Sequence, residues 1–190
     1  MTNPLRSSPG MLGMLLTLAM VACDQETMAP EAAAGSLDIS ASMLTGSPEA
    51  SAWLAELRAA TSSFHQVDAA VAAGWDTPIT ACRENPSVGG MGYHYGNLPL
   101  LFDGGDVDEL APETLLYAPE KNGRLRLVGV EYIVLFSDVP PDAEAPSLHG
   151  VHFHPNTSDG VWALHAWIWQ DNPNGVFEDW NPKVSCEYAE

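Results

Sequence analysis

The stretch Leu148–Trp169, LHGVHFHPNTSDGVWALHAWIW, holds four of the six histidines in the chain, His149, His152, His154 and His165, and closes in an apolar run. Read as a strand, Val161 to Trp169 turns Ala163, His165, Trp167 and Trp169 to one face and Trp162, Leu164, Ala166 and Ile168 to the other. Neither face is polar, so the strand is covered on both sides and His165 needs a partner inside the protein or must be neutral there.

The same reasoning applies upstream. Thr114 to Tyr117 and Arg124 to Phe136 form a hairpin across PEKNG, where Asn122-Gly123 supplies turn chemistry. In its second strand Leu125, Leu127, Gly129, Glu131, Ile133 and Leu135 share a face, on which Glu131 is the one charge. A buried carboxyl must be protonated, hydrogen-bonded, paired or bound to metal. Met91 to Tyr95 reads as a short aromatic strand carrying His94, and Pro78 to Gly90 as a loop.

Toward the N-terminus, Ser47-Pro48-Glu49 starts a helix whose apolar stripe runs Leu54, Leu57, Phe64, Val67, Val71, with Trp53 and Trp75 at its margins; Gly74 stops it, and Thr61-Ser62-Ser63 is a place where it can split in two. The expected fold is α+β: an N-terminal helix or helix pair packed on a mainly antiparallel sheet, with barrel-like curvature as a variant.

The first residues carry one cation, Arg6, and no acid, and Met11 to Val21 is an apolar run of eleven residues. That is too short to span a bilayer, which takes roughly 20 residues, and suits a secretion signal. Residues 1–22 are thus expected to be a signal peptide, 23–46 an Ala/Ser/Glu/Pro-rich tether too poor in large apolar residues to fold, and 47–190 a single domain. Loss of the signal leaves six cations against 25 acids, a net charge of −19 from the −18 of the full chain. That sign argues against nucleic acid as a partner. Cys82 and Cys186 are an even pair in an exported chain and are expected to join. His65 lies off the apolar stripe, as a surface histidine, and DGGDVDEL (103–110) lacks the spacing of a calcium loop. Gly-rich nucleotide loops, haem-attachment CxxCH and serine-hydrolase motifs are absent from the sequence.

The segment Met20-Val21-Ala22-Cys23 resembles the lipobox of bacterial lipoproteins, with Met20 in place of the usual leucine. The resemblance implies that Cys23 is the first mature residue, carries lipid and makes the membrane a partner, on the outer side of the cell envelope or in the periplasm. At GGMGYHY (89–95), VGVEYIV (128–134), FHP (153–155), WALHAW (162–167) and DWNPKVSC (179–186) the chain resembles a family of uncharacterised exported bacterial proteins. No activity comes with that resemblance. It favours His94, Glu131, His154 and His165, which lie within those motifs, over His149 and His152, which do not.

His152 and His154 are also two apart, a spacing by which an extended segment offers two imidazoles to a metal. A divalent transition metal, zinc or copper, held by His94, Glu131, His154 and His165, with His152 as alternate, is one expectation. Structural hydrogen bonding among the same groups is another, and acid–base catalysis by Glu131 and His165 a third. The function classes that follow are a lipid-anchored metal- or small-ligand-binding protein, an extracytoplasmic enzyme, and an envelope or adhesion module with no site.

Overall fold

The computed structural model describes residues 48–190; the expected signal peptide (1–22), Cys23 and the expected tether (23–46) lie outside the described residues. Helix α1 (Pro48–Thr61) buries Ala50, Trp53, Leu54 and Leu57. It ends where the Thr61 hydroxyl donates back to the Leu57 carbonyl at 2.8 Å, a bond that competes with helix continuation. A 3-10 turn (Ser62–His65) and the short helix α2 (Val67–Ala72) follow, and Gly74 closes the segment at φ 107°. The interruption turns the second piece about its axis, so Ala70 faces the core and Val71, placed on the stripe by continuous periodicity, is 41% exposed.

The sheet has six antiparallel strands in the order β1-β2-β3-β4-β8-β7 and curls into a half-barrel. They are β1 (Thr77–Asn85), β2 (Gly89–Gly96), β3 (Thr114–Pro119), β4 (Leu125–Leu135), β7 (His154–Asn156) and β8 (Val161–Ala166); β5 (Ser147–Leu148) and β6 (Val151–His152) pair separately. A short helix α3 (Leu98–Leu101) follows β2. Residues 78–85, expected as loop, are strand because β1 is a sheet edge, where Pro78 is tolerated without a ladder hydrogen bond.

Both faces of the central strands are covered. Tyr117, Val130, Tyr132, Val134, Leu164 and Ala166 pack with Trp53 and Leu57 into the larger core under the helices. The opposite face carries a smaller cluster of Leu116, Ala118, Val128, Trp167 and Val184. One extra residue separates the two patterns: Leu116 pairs with Gly129 but Tyr117 with Leu127, leaving Val128 as a bulge. Leu127 therefore joins the helix-side core, and the single face expected from Leu125 to Leu135 is divided at that point. The Val128 carbonyl accepts the N–H groups of Trp169 and Gln170, so β8 stops at Ala166 and the alternation expected to Trp169 breaks; Trp167 stays on the smaller face while Trp169 packs with Ile168 against the larger core.

That smaller face is closed by the C-terminal strap. Asn181 exchanges two 3.1 Å backbone hydrogen bonds with Gly90, Val184 packs inward, and Cys186 is disulfide-bonded to Cys82 of β1 with their Cα atoms 5.8 Å apart. The GGMG motif makes room for this: a Cβ on Gly89 would stand 2.3 Å from the Asn181 carbonyl oxygen, and one on Gly90 2.7 Å from that of Val184.

Candidate metal centre

Strand register assembles the site. Glu131 of β4 is directly opposite His165 of β8, and His94 of β2 reaches the same face across Leu116 of β3. All three are buried, at 6%, 2% and 2% exposure, which only mutual contact or a bound ion makes tolerable. His94 Nε2 lies 3.5 Å from Glu131 Oε2, and His165 Nε2 lies 3.5 Å from Glu131 Oε1. One donor atom from each of the three lies within 4.8 Å of the others, and the group could hold a metal ion.

The contacts do not behave as hydrogen bonds. Glu131 Oε2 and both ring nitrogens of His165 are buried without a hydrogen-bond partner, although such groups almost always have one. A tetrahedral zinc bound at 2.0–2.2 Å would set neighbouring donors about 3.4 Å apart; each imidazole lies 3.5 Å from a different oxygen of Glu131, and one donor from each residue lies within 4.8 Å of the others. The outward nitrogens also have counterparts: His94 Nδ1 sits 2.8 Å from the Thr80 hydroxyl and His165 Nδ1 faces Asp179 Oδ1 at 3.6 Å. If Nδ1–H of His165 is directed at that carboxylate, its Nε2 presents a lone pair to the centre, the tautomer that a metal-bound imidazole adopts.

Electrostatics point the same way. Burial, with the nearby His165 and Arg83 charges adding, lowers His94 to about 3, so its imidazole is neutral and free to coordinate. Burial raises the Glu131 carboxyl above its usual range, against the pull of His165 and Arg83. Asp179 goes the other way: burial would raise it, but the hydrogen bond from His154 and the proximity of His165 hold it well below the usual carboxylate range.

His154, expected among the ligands, stands outside the buried group. Its Nδ1–H donates to Asp179 at 2.8 Å, its side chain is half-exposed, and that bond raises its pKa. His152 is exposed on β6, in the separate two-stranded sheet, because β6 and β7 are different strands rather than one extended segment with both histidines on a face. His149 adopts a left-handed φ of 49°, packs at a tilt against Trp53 and contacts Glu109 at 2.6 Å. His65 is exposed, against the edge of Trp169. In the acidic turn, Asp103 and Asp108 accept backbone N–H groups of their own loop.

Three groups escaped the sequence reading. Thr80 and Arg83 lie in the segment taken as loop. Asp179 opens the DWNPKVSC motif, where an acid beside an aromatic was the available signal. Arg83, His154 and Asp179 line a cleft of about 440 Å3 that reaches Glu131 and His165.

Compared with known proteins, the chain matches no protein family, no curated protein sequence and no solved structure. Geometry and chemistry alone therefore carry the functional reading.

Proposed function

We propose that this is an exported, lipid-anchored protein that binds one divalent transition metal, zinc or copper, through His94, Glu131 and His165. The observation that carries the reading is the buried convergence of His94 Nε2 and His165 Nε2 on the two oxygens of Glu131, each at 3.5 Å, with Glu131 Oε2 and the His165 ring nitrogens lacking a hydrogen-bond partner. Two imidazoles and one carboxylate suit either ion. Asp179 then serves as the carboxylate behind His165, and His154 holds Asp179 in place from the cleft.

Elemental analysis of the purified protein tests the reading: about one equivalent of metal in the wild type, none in His165→Ala or Glu131→Gln, and retention in His154→Ala with affinity weakened about tenfold to a hundredfold. Absence of metal from protein purified without chelator and then offered zinc and copper contradicts it. Anchoring is tested separately, since labelling with a palmitate analogue should mark the wild type and not Cys23→Ala.

A second reading, a metal-dependent extracytoplasmic enzyme, is favoured by one observation. Three protein ligands beside an open cleft leave a coordination position for water or substrate, as catalytic rather than structural zinc sites do.

A further inference from the structure

We infer that the cleft in front of Glu131 and His165 is an oxyanion site, in which a small oxyanion binds the metal through one oxygen and Arg83 through another. The inference rests on the metal reading and adds the ligand to it. Glu131 and His165 line the cleft whereas His94 does not, so an ion seated among the three donors turns its remaining side to that space. At about 440 Å3 the cleft is far larger than the roughly 30 Å3 share of one water and falls in the range of small-molecule sites.

The charges of the wall select the sign of the ligand. Arg83 meets Asp159 through a single contact, Nη2 to Oδ2 at 2.7 Å. A guanidinium has five N–H donors in a fork that matches the oxygens of phosphate and carboxylate, so donors remain. Each carboxylate is already committed: Asp159 to Arg83 and to the Asn156 amide at 2.8 Å, Asp179 to His154 and toward His165, Glu131 to the metal. Glu178, the other acid felt at His154, adds to the negative side of that wall. With a divalent ion in place, only Glu131 offsets its charge directly, which leaves a positive centre facing Arg83. Metal plus arginine is a strong, directional pair for oxygen, and it is this local pair that has to outweigh the repulsion of an anion by a chain of net charge −18.

The test uses the purified protein loaded with cobalt(II), whose visible absorption reports the coordination shell. Inorganic phosphate and acetate are added in separate arms, which distinguishes a phosphoryl from a carboxylate group as the preferred ligand. The expected result is a saturable spectral change with at least one of them. Arg83→Gln should raise the dissociation constant of that anion at least about tenfold, with Arg83→Lys in between, while cobalt binds no more weakly, since a neighbouring cation has been removed. Cobalt that binds but whose spectrum ignores both anions overturns the inference and leaves the metal reading standing, as does an Arg83→Gln response equal to wild type. Failure of cobalt, zinc and copper to bind at all removes both.

Discussion

The two faces of the one sheet solve opposite problems. The helix-side face is a large apolar core whose buried hydroxyl and indole groups find partners, such as the Tyr132 hydroxyl donating to the Glu109 carbonyl at 2.6 Å, Trp75 Nε1 donating to that of Pro112 at 2.8 Å and the Thr61 hydroxyl donating to that of Leu57 at 2.8 Å. The strap-side face has a small apolar cluster, and beside it the same strands bury His94, His165 and Glu131, of which both His165 ring nitrogens and Glu131 Oε2 have no hydrogen-bond partner. One face is built for stability. The other holds groups whose burial is unfavourable until something joins them, and its cover is a strap fastened by a disulfide rather than by a helix. Stability and ligand binding should therefore separate by face.

The largest effect is expected at the strap. The Cys82–Cys186 bridge spans 104 residues, so replacing both cysteines by serine should cost about 4–5 kcal/mol in urea unfolding on the loop-entropy account. Metal affinity should fall with it, since Asp179 rides on the same strap. On the opposite face, Leu57→Ala removes a fully buried side chain and should cost about 2–5 kcal/mol. In protein that remains folded, metal affinity should not change; a matching loss would join the two faces that the account separates.

A pH dependence comes next. β3 begins at Thr114, and the buried carboxylate of Glu113 just before it accepts the N–H of Ile133 at 2.9 Å, a group that β3 no longer reaches. Burial raises Glu113 to about 8, despite that hydrogen bond. An acid raised from 4.5 to about 8 binds more protons folded than unfolded. Its contribution is complete below pH 4.5 and is lost as pH rises toward 8, by at most about 1.4 kcal/mol per unit. His94 has the opposite sense: lowered from 6.5 to about 3, it costs stability as pH falls below 6.5. Metal-free protein should thus lose stability in both directions, and Glu113→Gln should shrink the alkaline loss to the part contributed by the raised Glu131 carboxyl while leaving the acid side unchanged in a series of denaturant titrations. The smallest effect is the most diagnostic. Glu131→Gln should abolish metal binding yet leave the metal-free protein at least as stable near neutral pH, by a gain on the order of 1 kcal/mol, because a site kept for binding is a local cost to stability.

Much of this division could be read from residues. Alternation along β8 separated His165 from Leu164 and Ala166, and the lone charge in LVGVEYIVL marked Glu131. An even pair of cysteines in a chain expected to be exported pointed to the disulfide that the structure contains. What alternation could not reveal was the bulge at Val128, which depends on the register with β3 and on the Trp169 and Gln170 N–H groups that the Val128 carbonyl accepts rather than on local pattern. For the same reason His154 looked like a ligand: two histidines two apart share a face only if one strand carries both, and tertiary pairing placed them in different sheets. Thr80 and Arg83 were hidden by Pro78, which reads as loop unless the strand is known to be an edge. Asp179 was hidden because its role depends on the fold returning the C-terminal segment to β8.

The central claim is tested most directly by titrating metal-free protein with zinc in buffers of different ionisation enthalpy, for wild type, His165→Ala and His65→Ala. The account predicts one equivalent bound, with affinity rising with pH because burial raises the Glu131 carboxyl and protons compete with the metal for it. Binding should be lost in His165→Ala and unchanged in His65→Ala. No binding by wild type, or equal loss in the two variants, would contradict it.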